Sequence, residues 1–301
     1  MELWNELCTV VGRENVFQNE PMSRHTTFRI GGVADYFVTP TKEEQIWQII
    51  SLAKQQKMPY YIIGNGSNLL VGDKGYRGII IQICKKMNQV DVRENHVYAQ
   101  GGALLSKIAA VALDHNLTGF EFAAGIPGTL GGAVMMNAGA YGGEMKQVLT
   151  EVKVLDEHGG IQVLPVNELA LDYRSSILDK RNDIVLSAVL ALAKGENGAI
   201  QAHLDDLKDR RTGKQPLEYP SAGSTFKRPT GFFAGKLVED AGLRGFRMGD
   251  AQVSTKHCGF IINCGQATAK DVVSLMDYII EQVEIKYGVR LEPEVKRIGE
   301  F

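Results

Sequence analysis

The sequence has few cysteines, no large excess of either charge and no long apolar run. Each of these absences excludes a class of protein. Only Cys8, Cys84, Cys258 and Cys264 occur among 301 residues; they form no C-x-x-C pair and have no histidine at metal-ligand spacing. The 33 basic and 35 acidic side chains leave a net charge of −2, with no overall attraction to nucleic acid or acidic membranes. We therefore expect reduced thiols, no metal site and no nucleic-acid partner.

No segment approaches the roughly 20 apolar residues that a membrane-spanning helix needs. The opening stretch, "MELWNELCTVVGRENVF", has no basic region followed by an apolar run. These features favour a cytoplasmic protein without membrane insertion. Hydrophobic residues make up 44% of the chain, enough for a large core divided between two or more domains.

Local patterns predict several elements with defined ends. Thr41 and Glu44 read as a capping box opening a helix, and residues 148–165 read as a hairpin that turns at 158–160. A capped helix is predicted from Thr268 to Tyr287, followed by Gly288. The composition shift over 213–231 indicates a boundary before a smaller α+β domain.

The stretch "YYIIGNGSNLLV" (60–71) places a glycine turn directly after a predicted strand. Leu69 occupies the third glycine position of a G-x-G-x-x-G fingerprint, and a short apolar run follows instead of a long helix, which excludes the usual Rossmann site. Two interpretations stay open at this point. The turn is either a plain tight connection or a concavity whose successive N–H groups bind an anion.

The stretch "EFAAGIPGTLGGAVMMNAGAYGGE" (121–144) is richer in glycine, with seven glycines within the nineteen residues 125–143. A segment so free of bulky side chains lets the backbone approach a large flat ligand, and its amides can face a diphosphate. The alternative is a loop packed under a helix. The glycine content favours the ligand.

Six motifs carry a resemblance to a known family: "TTFRIGG" (26–32), "GNGSN" (64–68), "GIPGTLGGAVMMNAGAYG" (125–142), "YRSS" (173–176), "PSAGSTFKRP" (220–229) and "LEPEV" (291–295). In this order they resemble UDP-N-acetylenolpyruvoylglucosamine reductases (UDP-N-acetylmuramate dehydrogenases), in the shorter subgroup without a tyrosine-bearing insertion. The resemblance covers the chain from about residue 20 onward.

The resemblance implies an α+β chain with an FAD-binding fold of the vanillyl-alcohol-oxidase/PCMH type, made of two α/β subdomains, and a smaller α+β substrate-binding domain. The corresponding boundaries are 1–85 for the first FAD-binding subdomain, joined by the C-terminal segment 290–301, then 86–205 for the second subdomain and 206–289 for the substrate-binding domain. The covalent flavin of some relatives of this fold is attached through a histidine after the Gly-x-Gly turn. Ser67 stands there, which favours non-covalent FAD.

The resemblance also implies an activity. NADPH would reduce FAD, and reduced FAD would reduce the enolpyruvyl ether of UDP-N-acetylglucosamine to UDP-N-acetylmuramate, a step of peptidoglycan and cell wall synthesis in the cytoplasm. No separate nicotinamide fingerprint is visible, so NADPH and the UDP-sugar are expected to alternate in one pocket. A monomer is expected.

Reduction of an enolpyruvyl group leaves negative charge that spreads from the α-carbon into the carboxylate, so the enzyme needs a group to hold that carboxylate and a proton source. By resemblance these roles fall on Arg174, whose guanidinium suits a carboxylate, and on Ser224 as proton donor. Glu294 is the implied catalytic carboxylate, expected to be protonated or held by a cation such as Arg174, and neighbouring Glu292 is expected to be solvated. From the residues alone, the favoured interpretation of Arg174 is a surface arginine paired with Asp172 or Asp179, and that of Ser224 is a turn serine.

The remaining candidate residues come from the glycine loops and from cations near the predicted boundary. Those assigned to the cofactor are Gly64, Asn65, Gly66, Ser67, Asn68, Leu69, Gly125, Ile126, Pro127, Gly128, Gly131, Gly132, Asn137, Gly139 and Ala140. Those assigned to the substrate are Tyr141, Lys214, Lys227 and Arg228.

Two other functions compete with the reductase. A flavin oxidase of the same superfamily would use the same glycine loops on an alcohol or lactone. A non-catalytic flavin- or sugar-nucleotide-binding module would explain the loops and cations, but it would leave Arg174, Ser224 and Glu294 without a joint purpose.

Overall fold

The computed structural model describes residues 2–301. The α-helices are α1 (Glu2–Val11), α2 (Glu43–Gln55), α3 (Leu105–Asp114), α4 (Leu130–Met135), α5 (Ile177–Arg181), α6 (Asn197–Lys214), α7 (Ala234–Asp240) and α8 (Ala269–Tyr287). The strands are β1 (Val16–Pro21), β2 (Val33–Val38), β3 (Tyr60–Ile63), β4 (Leu69–Val71), β5 (Tyr76–Gln82), β6 (Val90–Arg93), β7 (His96–Gln100), β8 (Leu117–Thr118), β9 (Gly139–Ala140), β10 (Gly143–Glu144), β11 (Leu149–Leu155), β12 (Ile161–Pro165), β13 (Ile184–Ala191), β14 (Ala193–Lys194), β15 (Arg247–Met248), β16 (Ala251–Val253), β17 (Ile261–Asn263) and β18 (Lys296–Ile298).

Tertiary contacts divide the chain into two units, each assembled from three segments. The first unit contains the residues up to Phe17, Val38–Asn65 and Ile80–Arg211, and the second contains Gln18–Phe37, Gly66–Ile79 and Thr212–Phe301. The strands β1, β2, β5 and β3 form a sheet in that order. Among the helices of residues 2–301, none combines the length and apolarity that crossing a membrane requires.

The first unit is organised around a five-stranded antiparallel sheet with the order β12-β11-β13-β7-β6. The predicted hairpin is confirmed as β11 and β12, and its turn is held by Asp156, whose carboxylate accepts hydrogen bonds from the amides of His158 and Gly160. One face of the sheet packs against α3 and α4 around Val152, Ala188 and other fully buried residues. An antiparallel sheet cannot be the parallel sheet of a Rossmann domain, which agrees with the exclusion from sequence.

The second unit contains the antiparallel sheet β15-β16-β17, covered by α7 and α8. The final strand, β18, pairs in parallel with β4, with Lys296 opposite Leu69. Asp73, just after β4, accepts hydrogen bonds from the amides of Ala269 and Lys270 at the start of α8. A carboxylate satisfies the unpaired amides and the positive end of a helix dipole, so the segment that follows β4 is fixed to α8.

Helix α8 confirms its prediction in detail. The Thr268 hydroxyl accepts a hydrogen bond from the Asp271 amide, and the Asp271 carboxylate accepts one from the Thr268 amide. Gly288 ends the helix with a left-handed φ of 66°. The predicted apolar face, formed by Val272, Leu275, Met276, Ile279 and Val283, is buried.

Thr268→Ala is expected to lower the free energy of unfolding by about 1 kcal/mol, because it leaves an N-terminal amide of α8 without its acceptor. The measurement is a denaturant titration of the variant beside Thr230→Ala, which removes the same atoms from an exposed loop threonine. Equal midpoints for the two variants would contradict the capping role.

The predicted capping box at the start of α2 is wrong by one position. The helix begins at Glu43, so its third residue is Gln45, whose side-chain oxygen accepts hydrogen bonds from the amides of Thr41 and Lys42. Glu44 lies too early in the helix to reach back to these amides.

Candidate active site and cofactor cradle

In the first unit, the beginning of the "GNGSN" loop lies against the second glycine loop. A Cβ atom on Gly64 would overlap Thr129 Oγ1, and the Asn65 side chain donates a hydrogen bond of 2.7 Å to the carbonyl oxygen of Pro127. Gln82 donates to the Gly64 carbonyl at 3.1 Å. The two loops that the sequence assigned to one cofactor are therefore in direct contact here.

A cavity of about 410 Å³ opens beside this contact within the first unit. Gly64, Thr129, Gly131 and Gly132 line one part of it, and β3, α5 and the start of β13 contribute to the rest. A Cβ atom on Gly131 would lie 3.1 Å from the Gly101 carbonyl oxygen, so a larger residue would press against the backbone there. The Gly131 amide donates to the Gly101 carbonyl, so this N–H group is already used. Gly131 leaves room in the cavity because it has no side chain.

The later part of the second glycine loop is stabilised by Asn137. This asparagine is 1% exposed and has a left-handed φ of 42°. Its amide nitrogen donates to Glu144 at 2.8 Å, and its oxygen accepts from the Lys146 amide at 2.9 Å. Gly139 and Ala140 form β9, which pairs with β10. Tyr141, in the turn between them, has a φ of 54° and is 45% exposed.

Arg174 lies in a tight turn in which Asp172 and Ser175 exchange backbone hydrogen bonds. Its φ of 54° is unusual for a residue with a side chain, and its guanidinium lies 5.1 Å from the centre of the Tyr173 ring. The turn is anchored to the glycine loop, because Asn137 donates to the Asp172 carbonyl at 3.3 Å. Strained conformations of this kind persist only where the surrounding structure enforces them and occur often at functional sites.

The second unit holds the serine loop. Gly223 has a left-handed φ of 77°, and Ser224 is exposed while Thr225 beside it is 2% exposed. The Thr225 amide donates to the Gly259 carbonyl at 2.8 Å, and its hydroxyl accepts from the Ile261 amide at 3.0 Å. The buried threonine thus fixes the backbone while the adjacent serine hydroxyl faces outward.

Glu294 is connected by its backbone to this serine loop. Its amide donates to the Thr225 carbonyl at 2.8 Å, and the Lys227 amide donates to the Glu292 carbonyl at the same distance. Phe226 and Pro293 form a single bridge between these bonds. The segment 292–294 forms no regular strand apart from this bridge. Ser224 and Glu294 nevertheless lie on adjacent, hydrogen-bonded segments.

The remainder of the "GNGSN" loop joins the same network. Asn68 donates to the Glu294 carbonyl at 3.1 Å and accepts from the Lys296 amide at 3.0 Å. Thr27 links the loops from the other side, since its amide donates to the Gly66 carbonyl at 3.2 Å and its hydroxyl donates to the Ser221 carbonyl at 2.7 Å. Within the second unit, therefore, a predicted cofactor loop, Ser224 and Glu294 are held together.

The predicted substrate cations have different surroundings. Lys214 is exposed. Lys227 forms an ion pair with Glu292, whose side chain is 69% exposed, in agreement with the expectation that Glu292 is solvated. The Arg228 guanidinium lies 4.6 Å from the centre of the Phe233 ring.

Sequence reasoning missed Arg211 as a neighbour of the second glycine loop. A Cβ on Gly125 would lie 2.9 Å from Arg211 Cδ, and burial lowers the pKa of Arg211. A signal was available, because Ile200, Leu207 and Arg211 fall on one face of α6, and the first two are its buried residues.

Comparison with known proteins connects this arrangement to an enzyme family. A model described as FAD binding domain matches residues 34–164, and one described as UDP-N-acetylenolpyruvoylglucosamine reductase, C-terminal domain, matches residues 215–298. The chain therefore carries an FAD-binding domain, and the residues matched by its model include both glycine loops.

Similar sequences extend over almost the whole chain. A UDP-N-acetylenolpyruvoylglucosamine reductase of Caldanaerobacter subterraneus subsp. tengcongensis is 50% identical over 298 residues, which cover 99% of this chain and 98% of the relative. One from Clostridioides difficile is 48% identical over 299 residues, with 99% and 98% covered.

Solved structures confirm the predicted fold class. A UDP-N-acetylenolpyruvylglucosamine reductase from Thermus caldophilus aligns with a TM-score of 0.79 at 34% identity, over 92% of this chain and 97% of that one. A Phl p 4 variant described as a glucose oxidase aligns with a TM-score of 0.51 at 12% identity, over 65% of this chain and 45% of that one, a likeness of fold alone. From its two family matches and these full-length relatives, the chain belongs to the UDP-N-acetylenolpyruvoylglucosamine reductase family.

Proposed function

We propose that the chain uses NADPH and non-covalently bound FAD to reduce the enolpyruvyl ether of UDP-N-acetylglucosamine to UDP-N-acetylmuramate, in peptidoglycan precursor synthesis in the cytoplasm. The observation that carries this proposal is the hydrogen-bonded connection of Asn68, Thr225 and Glu294, which joins a cofactor loop to the candidate proton donor and carboxylate. An oxidase of the same fold has no need of this combination.

Bound FAD supplies the two electrons that reduce the enolpyruvyl double bond. The protein must stabilise the negative charge that develops and supply a proton. We assign the proton to the Ser224 hydroxyl, because an enolate carbon is a strong base that can take a proton even from an alcohol. The hydrogen bonds of Thr225 support this role, since they fix the backbone next to the residue that carries the exposed hydroxyl. The proton on Oγ passes to the α-carbon and is regained from solvent or a neighbouring group.

Arg174 is assigned to the substrate carboxylate, where a fixed guanidinium stabilises the charge that develops. The enforced turn supports this assignment, because a strained arginine backbone on a mobile surface loop would relax. Glu294 is assigned to the proton relay or to polarisation of the intermediate through a hydrogen bond. Tyr141, Lys214, Lys227 and Arg228 remain the candidates for the UDP-sugar, within a substrate-binding domain proposed for 206–289.

The test separates the two half-reactions of the purified protein under anaerobic conditions. NADPH should bleach the visible flavin absorbance, and the enolpyruvyl nucleotide should then restore it with formation of UDP-N-acetylmuramate. Restoration by oxygen alone at a comparable rate would favour an oxidase, and a flavin that NADPH cannot bleach would favour a binding module.

Glu292→Gln is expected to change the rate of flavin reoxidation by about twofold or less, because exposed ion pairs such as that with Lys227 contribute little. Glu294→Gln, the matched variant two residues later, is expected to slow the same step by roughly tenfold or more. Stopped-flow absorbance measures both. Equal effects in the two variants would contradict the distinction between these carboxylates.

A further inference from the structure

A histidine in the second unit lies in a turn that contacts the serine loop, and the proposed chemistry does not use it. His257 belongs to residues 254–260, here called the histidine turn, which lead directly into β17. The Ser254 amide donates to the Phe260 carbonyl at 2.9 Å, and the Phe260 amide donates to the His257 carbonyl at 3.0 Å. The Ser254 hydroxyl accepts from the amides of Lys256 and His257 at 3.1 and 3.2 Å. The turn is therefore closed by its own hydrogen bonds.

The histidine turn fixes the backbone next to Ser224. The Gly259 carbonyl accepts from the Thr225 amide at 2.8 Å, and the amide of Ile261, directly after the turn, donates to the Thr225 hydroxyl at 3.0 Å. These two hydrogen bonds of Thr225 end on the three consecutive residues 259–261. A rotation of the backbone at Gly259 would therefore displace an acceptor of Thr225 and, with it, the neighbouring candidate proton donor.

The imidazole of His257 holds Gly259 within the turn. Its Nδ1 atom accepts a hydrogen bond of 3.1 Å from the Gly259 amide. A Cβ atom on Gly259 would lie 2.8 Å from His257 Cε1, and one on Gly235 in α7 would lie 3.4 Å from the same atom. The Phe260 ring meets the imidazole edge to face, with 5.1 Å between ring centres. The imidazole is thus packed against two glycines and an aromatic ring, which hold Nδ1 toward the backbone.

An acceptor at Nδ1 requires the neutral imidazole with its hydrogen on Nε2, because the imidazolium carries a hydrogen on both nitrogens. Burial lowers the pKa of His257 below its ordinary value, and Arg244 lowers it further, whereas Glu239 opposes the shift. Arg244 and Glu239 form an ion pair of 2.7 Å with each other, and on α7 Lys236 pairs with Asp240. The neutral imidazole therefore predominates at neutral pH.

We propose that His257 is a positioning residue for proton transfer and that protonation of its ring releases the Ser224 loop. The neutral Nδ1 atom orients the Gly259 peptide, whose carbonyl holds Thr225 and thereby the adjacent serine. A hydrogen on Nδ1 would face the Gly259 N–H group as donor against donor, so the ring or the peptide would have to turn away. The proposal deepens the proposed function and rests on its assignment of Ser224.

The direction of the pH dependence follows from the lowered pKa. The support that His257 gives to the loop is complete above the ordinary histidine pKa of about 6.5. It is lost as the pH falls through the lowered value of the folded protein. Acid should therefore slow proton transfer to the substrate before it affects retention of the flavin.

The first test follows reoxidation of the flavin by the enolpyruvyl nucleotide in the FAD-loaded protein as a function of pH. The rate should fall roughly 10- to 100-fold between about pH 8 and about pH 5. His257→Asn places an amide oxygen near the position of Nδ1 and takes up no proton, so it should retain the rate at the higher pH and lose this decline. His203→Asn, the same substitution at an exposed histidine of α6, should retain the decline. A decline of unchanged size and midpoint in His257→Asn overturns the proposal.

His257→Ala removes the acceptor at every pH. It should slow reoxidation roughly 10- to 100-fold at about pH 8, through kcat more than KM, while flavin content and bleaching by NADPH stay close to those of the unchanged protein. Equal slowing of both half-reactions overturns the proposal. So does slowing in His257→Asn as large as in His257→Ala, because the role would then belong to the packing of the ring and not to its acceptor.

Amide hydrogen exchange tests the same contact without the reaction. In His257→Ala, a peptide fragment that contains Thr225 should exchange roughly tenfold faster than in the unchanged chain, and in His257→Asn it should exchange at the original rate. Equal protection in all three proteins overturns the proposal. If His257→Ala does not fold, the comparison of His257→Asn with the unchanged chain at the two pH values decides. This readout needs neither NADPH nor the UDP-sugar, so failure here is distinguishable from failure of the proposed reaction.

Discussion

Ser224→Ala is expected to leave the bleaching of the flavin by NADPH nearly unchanged and to slow its reoxidation by the enolpyruvyl nucleotide by roughly 10²- to 10⁴-fold, the range that a positioned proton donor contributes. The variant removes a single exposed oxygen, while Thr225 continues to fix the loop backbone. Stopped-flow absorbance with each reactant in turn measures the two steps separately.

The matched control is Ser221→Ala in the same loop. Ser221 contacts Thr27 through its backbone carbonyl, which accepts from the Thr27 hydroxyl, so this variant should retain both half-reactions. If Ser224→Ala slowed both half-reactions equally, the serine would have a structural role and the assignment as proton donor would be wrong.

Gly66→Ala is expected to abolish flavin retention and to lower the free energy of unfolding by on the order of 3 kcal/mol or more. A Cβ atom there would overlap the backbone carbonyl of His25, and the left-handed φ of 62° already disfavours a side chain. Backbone on both sides must then move, which displaces the loop that Asn68 ties to Glu294. Flavin content after purification and the denaturant midpoint measure the two effects.

Gly242→Ala is the control for the cost of placing an alanine at a left-handed φ. Gly242 has a φ of 82°, and in the described chain a Cβ there would meet open space. Gly242→Ala should lower the free energy of unfolding by about 1–2 kcal/mol through backbone strain alone, and the variant should retain flavin. A Gly66→Ala protein that purifies with full flavin content would contradict the role of this turn as part of the cofactor cradle.

The elements that the sequence predicted well are those with complete local signals. Helix α8 has its cap, its apolar face and its terminal glycine within twenty-one consecutive residues, and the hairpin of β11 and β12 carries its own turn. The start of α2 was harder, because two neighbouring glutamates and a glutamine compete for the same capping position. A difference of one residue decided which side chain reached the free amides.

The parts of the site that the sequence could not predict depend on contacts between distant segments. Thr27 and Ser221 are 194 positions apart, and Asn68 and Glu294 are 226 apart. No local pattern encodes such pairs, so the association of Ser224 with Glu294 came from family resemblance and not from periodicity.

The division of the second unit among three stretches of chain has a consequence during synthesis. Gln18–Phe37 and Gly66–Ile79 leave the ribosome well before Thr212–Phe301, which completes the unit. A nascent chain therefore carries β4 without its partner β18 until translation is almost complete. Until Lys296–Ile298 emerge, β4 keeps unpaired backbone groups, and unpaired strand edges are prone to aggregation.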